Sequence, residues 1–159
     1  MPITRTPMID DDGSGTTGTI INNAWKQEIY NQIDASLGQW TQITSTPGMF
    51  HGSGGMTWDV PGPVGLMYTL IAQTCFFDFE INSSAVNGPA GAELMIDLPV
   101  MPQLPATSTS CRALLLGVWE VLTCQVVPGT PQIKLSRLNG SVFTLGAVAV
   151  QGQIFFRAS

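Results

Sequence analysis

Near residue 40 the apolar residues of this chain change their spacing, and that change limits what it can fold into. Within 19–37 (TIINNAWKQEIYNQIDASL) they recur every fourth position, whereas from Trp40 onward many recur every second one. A step of four belongs to a helix and a step of two to an extended strand, so the two stretches cannot share one secondary structure. Residues 1–18 (MPITRTPMIDDDGSGTTG) come first, polar and rich in Gly, Thr and Asp. The expected chain is mainly β: an extended N-terminal arm and one α-helix over 1–39, then an antiparallel β-sandwich or jelly roll over 40–159.

Thr19 is placed to cap the helix and Gly38 to end it, giving a segment about 27 Å long. Its apolar residues are Ile21, Trp25, Ile29, Ile33 and Leu37. Each step of four overshoots a full turn by about 40°, so the stripe winds around the helix rather than forming a straight coiled-coil seam. Such a stripe suits docking on a surface, and these five residues are the candidate docking set.

The β-region opens with a short strand at Met56–Val60, then a Pro-Gly-Pro break. Leu66–Ile81 (LMYTLIAQTCFFDFEI) reads as one long strand with apolar groups on both faces. Tyr68, Leu70, Ala72 and Phe76 lie on one face, with Ile71, Cys75, Phe77, Phe79 and Ile81 on the other. A strand apolar on both faces in a small domain is accounted for if a neighbouring subunit covers one side. Tyr68, Leu70, Phe77 and Phe79 are the expected subunit-contact residues. Further strands are expected at Ala92–Leu98, Ala113–Trp119, Glu120–Val127, Gln132–Leu138 and Ala147–Arg157, with Pro99–Ser110 as a loop and Asn139-Gly140 as a hairpin turn.

Charged residues make up 11% of the chain and hydrophobic ones 44%. An average soluble domain carries roughly 25% charged residues, so part of this surface is expected to lie against other chains. The net charge of −5 and the lack of basic clusters argue against nucleic-acid binding. No apolar run reaches the ~18–20 residues needed to cross a bilayer, so no membrane partner is expected. The opening residues also lack the basic-then-apolar pattern of a secretory signal. The three cysteines match no metal spacing and are expected to be buried, reduced thiols.

Several short motifs invite chemistry, and each lacks an essential part. Gly13–Gly18 matches a dinucleotide-binding loop, but Asp10-Asp11-Asp12 stand where a buried strand must feed it. Asp10, Asp12 and Ser14 begin a calcium loop whose twelfth position is Ile21 instead of glutamate. His51-Gly52-Ser53-Gly54-Gly55 suggests a hydrolase, yet position 51 is not the glycine a nucleophile elbow requires, and the letters read as a surface loop. No catalytic residues, metal ligands or cofactors are therefore expected.

The stretch 4–37 (TRTPMIDDDGSGTTGTIINNAWKQEIYNQIDASL) resembles the N-terminus of accessory virion proteins of tailed bacteriophages. The β-region, with Trp58, Tyr68-Thr69, Phe77–Ile81 and the closing Gln151–Phe156, is similar to their small trimeric jelly-roll heads. The resemblance implies a non-enzymatic homotrimer made in the bacterial cytoplasm and carried on the virion. It would be a capsid cement (decoration) protein bound to the major capsid protein or another virion protein. The alternative is a tail or head fibre or spike that binds a host receptor or surface glycan.

If the helix stripe docks on the particle, its central anchors should dominate the binding. Trp25→Ala or Ile29→Asp is expected to cost about 2 kcal/mol or more of binding and to strip the protein from virions. Lys26→Ala and Gln27→Ala should have no such effect. A Trp25→Ala protein that melts at a lower temperature yet binds particles normally would contradict the docking role.

Overall fold

A computed structural model describes residues 28–33, 38–103, 107–126 and 129–158. The chain divides into two units, residues 1–39 and 40–159. In the first, residues 28–33 are helical, inside the expected helix, with Ile29 half-buried and Ile33 exposed. Ile21, Trp25 and Leu37, together with the arm and its Gly- and Asp-rich motifs, lie outside the described residues.

The second unit is mainly β, an antiparallel sheet that curls into a sandwich-like, jelly-roll-compatible body. Its strands are β1 (Thr41–Gln42), β2 (Phe50–Gly52), β3 (Thr57–Asp59), β4 (Gly65–Ile71), β5 (Thr74–Asn87), β6 (Glu93–Asp97), β7 (Thr107–Leu115), β8 (Val118–Val126), β9 (Gln132–Arg137) and β10 (Gly146–Arg157). The spatial order is β1-β4-β5-β10-β7-β8-β9-β6-β2, and β3 adds to β5. A 3-10 turn at Ser53–Gly55 carries the chain from β2 around to β3. Because β3 pairs with β5, the path returns to the middle of the sheet and encloses the core.

Leu66–Ile81 is not one strand. The chain reverses at Ala72-Gln73, with Ala72 in the left-handed region at φ 54, and pairs Ile71 with Thr74, Leu70 with Cys75 and Tyr68 with Phe77. A two-residue reversal sets even-numbered positions opposite odd-numbered ones. Leu66, Tyr68 and Leu70 therefore share a face with Cys75, Phe77 and Phe79, and the two apolar faces of the expected strand become one. Phe77, Phe79, Ile81 and Leu66 are fully buried in the core of a single chain.

Other boundaries also move. Residues 107–110, expected in a loop, begin β7, and His51 lies in β2 rather than in a surface loop. Asn139-Gly140 does turn, with Gly140 N–H donating to Arg137 O at 2.9 Å, but it makes no hairpin, since β9 and β10 are not neighbours. The tight hairpins are instead β4–β5 and β7–β8, the latter turning at Leu116-Gly117.

The core lies inside this curl, and β5 and β10 form its centre. Their register shifts between Val148 and Val150. At the shift the Ser84 hydroxyl donates to Val148 O at 2.6 Å and accepts from Trp58 Nε1 at 2.8 Å. Those bonds satisfy the polar groups buried with the Trp58 ring. Gly152 is set by close approach: a Cβ there would meet the Cys111 side chain and the Phe79 ring, the latter at 2.9 Å. Gly152→Ala should overpack this contact and lower stability by about 1–3 kcal/mol. An unchanged denaturation midpoint would show that the core gives way freely there.

Candidate functional site

The large exposed apolar side chains of the β-unit fall into two groups, one at each end of the sheet. Across β10 the register fixes which end each belongs to. Val148 pairs with Leu115 at the end of β7, so the β7–β8 tip lies beside the start of β10. Arg157 pairs with Thr74, so the β4–β5 tip lies beside its end. Phe155 and Val148 are separated by about 24 Å along the strand.

The first group belongs to the β7–β8 end. Leu116, Val118, Trp119 and Val121 are exposed on the hairpin, and Leu138, Val142 and Leu145 on the connection into β10. Val118 is 62% exposed and Leu116 56%. Leu116 also holds a left-handed backbone, φ 50, which a bulky residue adopts only with strain. The local sequence thus keeps a leucine in solvent at a turn position suited to Asn or Gly. Beneath this end, Glu120 and Arg137 form a bidentate pair of 2.7 and 2.9 Å, and Arg137 Nη1 donates to Val142 O at 3.1 Å. That pair ties the β9–β10 connection to β8.

The second group belongs to the β4–β5 end. Met67, Leu70 and Ile71 on β4, Phe155 on β10, Trp40 just before β1 and Met101 are exposed there. Phe155 packs on Phe76 across the strands at 6.1 Å. Continuing the β1–β4 register places Trp40 beside Thr69, the residue opposite Phe76. These two groups contain every large exposed apolar residue described in the β-unit.

A shallow polar groove of about 360 Å³ lies between the two groups, lined by Asp78, Glu80, Arg112, Gln151, Gly152 and Gln153. Glu80, Gln151 and Arg112 stand side by side on β5, β10 and β7. Burial, and then the neighbouring Glu80 carboxylate, pushes the Asp78 carboxyl above its ordinary value. The Arg112 guanidinium stacks over the Trp119 ring at 4.9 Å.

Of the expected subunit-contact residues, Phe77 and Phe79 face the core and offer nothing to another chain. Tyr68 is half-buried against that core, and Leu70 reaches the surface at the β4–β5 end. Reading the hairpin as one strand hid the outward pair Met67 and Ile71 of β4, on the face that carries Phe155 of β10. Its signal in the sequence is the even-odd exchange across Ala72-Gln73.

Groups capable of chemistry are few among the described residues. His51 Nε2 meets Asp97 Oδ2 at 3.0 Å, and Asp97 Oδ1 accepts from Gln132 Nε2 at 3.0 Å. Ser53 Oγ is engaged as acceptor for the Glu93 N–H at 3.0 Å. All three cysteines are buried, unpaired thiols. Burial pushes Cys75 up to about 11, and the hydrogen bond with Cys111, followed by burial, pushes Cys124 up as well. Cys75 and Cys124 in that state are poor nucleophiles and poor metal ligands. No group of three or more His, Cys, Asp or Glu among the described residues is placed to hold a metal ion. No described helix is long and apolar enough to cross a membrane.

Compared with known proteins, the chain matches no family model, no curated protein and no solved structure.

The Glu120–Arg137 pair gives a direct test of how the β7–β8 end is held. Glu120→Ala leaves a half-buried guanidinium without its carboxylate and is expected to cost about 1.5–3 kcal/mol in urea denaturation. The looser Lys134–Glu93 pair, 3.5 Å apart, should cost under about 1 kcal/mol when broken. Equal losses for the two would contradict a structural role for the Glu120 pair.

Proposed function

We propose that this chain is a non-enzymatic structural protein of a tailed-phage virion, a homotrimeric capsid cement protein anchored by its N-terminal arm and helix. The observation that carries the reading is the pair of exposed apolar ends on a β-unit that belongs to a chain with few charges. Exposed apolar patches of this kind mark surfaces that bind a partner, and this reading assigns them a protein partner. The resemblance of residues 4–37 and of the closing strand to phage virion proteins supplies the setting.

A cement protein works by mass action. It binds the assembled shell and not the free subunits, so its binding energy adds to the stability of the shell. Three arms on one trimer act at high local concentration, which makes attachment far tighter than one arm alone. The partners on this reading are a second and third copy of the chain and the major capsid protein or another virion protein. No cofactor takes part.

The alternative is a fibre or spike binding a host surface glycan. It draws on the exposed Trp119 and Trp40 rings, the former beside the polar groove. Trp58 is buried and offers no such platform.

Copy number separates the two. Quantitative gel analysis of purified particles is expected to find hundreds of copies of this chain per virion. A handful of copies would move the protein to a tail or fibre, and its absence from particles would overturn both readings.

A further inference from the structure

We propose that the polar groove on the outer face of the sheet binds a short, neutral oligosaccharide, with the Trp119 ring at one end of the site. The inference does not depend on where a virion carries the chain, and it gives the glycan-binding alternative above its residues. Alternation puts Asp78 and Glu80 of β5, Gln151 and Gln153 of β10, Arg112 of β7 and Trp119 of β8 on one face. Three strand spacings separate β5 from β8, so the site is about 14 Å across, enough for a few sugar rings in a row.

The side chains of this face suit hydroxyl groups. With its carbonyl turned toward Arg112, as the hydrogen bonding requires, Gln151 accepts from Arg112 Nη2 at 2.7 Å. The same guanidinium lies over the Trp119 ring at 4.9 Å, so an amide and a ring hold it rather than a carboxylate. None of the ion pairs among the described residues engages Asp78 or Glu80. Glu80 Oε1 takes one bond, from Asn82 Nδ2 at 3.1 Å, and both carboxylates keep further acceptor sites for hydroxyl donors. Gln153 is exposed and adds an amide that both donates and accepts. Trp119 is 54% exposed and presents an apolar surface to the C–H face of a sugar ring.

The same lining rejects other ligands. Two carboxylates stand against one guanidinium, so the groove is net negative by one charge and repels phosphates and sugar acids. It is also shallow and polar, which gives an apolar small molecule little to bury against.

The test applies the full chain to an array of oligosaccharides, with neutral hexose and N-acetylhexosamine chains beside sialylated and uronate-bearing ones. Neutral chains should bind and acidic ones should not. For the best-bound neutral chain, titration calorimetry should show affinity lowered about tenfold or more by Trp119→Ala and by Glu80→Ala. Gln125→Ala, on the same strand and face about 20 Å from Trp119, should bind as the wild type does. Thermal melts by circular dichroism should be unchanged in every variant. If Trp119→Ala or Glu80→Ala lowers the melting temperature, Gln153→Ala at its exposed position gives the same readout. Binding that survives these groove substitutions would overturn the groove as the site, and binding of acidic chains alone would overturn the ligand class. A wild type that binds nothing on the array would overturn the inference outright. Each of these failures leaves the cement reading standing, because copy number decides that.

Discussion

The pairing of β5 with β10 holds the rest of the fold in place. β5 runs for 14 residues and bonds to β4 and then β3 on one edge while β10 covers the other. Phe77, Phe79 and Ile81 project inward from β5 and Val148, Val150, Ile154 and Phe156 from β10, so these two strands supply much of the core. The shift between Val148 and Val150 bends the pair, and the Trp58–Ser84–Val148 bonds satisfy the polar groups that the bend buries. Curling the sheet this way leaves only the two-residue β1 and the three-residue β2 at the ends of the strand order, and edges that short resist stray pairing.

The same pairing decides what the outside can do. Each inward residue on β5 or β10 forces its neighbours outward, so a deep core of phenylalanines sets Phe76 and Phe155 side by side on the opposite face. The outer middle of the sheet is polar, at Asp78, Glu80, Gln151 and Gln153, and the apolar groups gather at the strand ends. A chain with few charges cannot keep both ends comfortably in water. On the proposed reading further copies of the chain and the virion surface cover them.

Much of this was legible in the sequence. The change of period near residue 40, the alternation of Ala147–Arg157, the strands around 93–97 and 132–137 and the mainly β class all stand in the structure. What misled was local. Ala72-Gln73 carries no Gly, Pro, Asn or Asp to announce a reversal, so a hairpin read as one strand apolar on both faces. Asn139-Gly140 announced a hairpin that the sheet order does not use. The expected subunit contact was accordingly placed on Tyr68, Leu70, Phe77 and Phe79, of which the core takes Phe77 and Phe79, while the exposed Leu116, Val118, Trp119 and Phe155 went unnoticed. Single exposed apolar residues carry no mark in sequence; they become a site only when the register gathers them at one end.

The central claim is that the exposed apolar ends are covered by further copies of the chain. The most direct measurement is the solution mass of the full chain by light scattering across a dilution series from micromolar downward. The account predicts three chains per particle, falling toward one only at high dilution. A single chain per particle throughout the micromolar range, with the sheet folded, would contradict it.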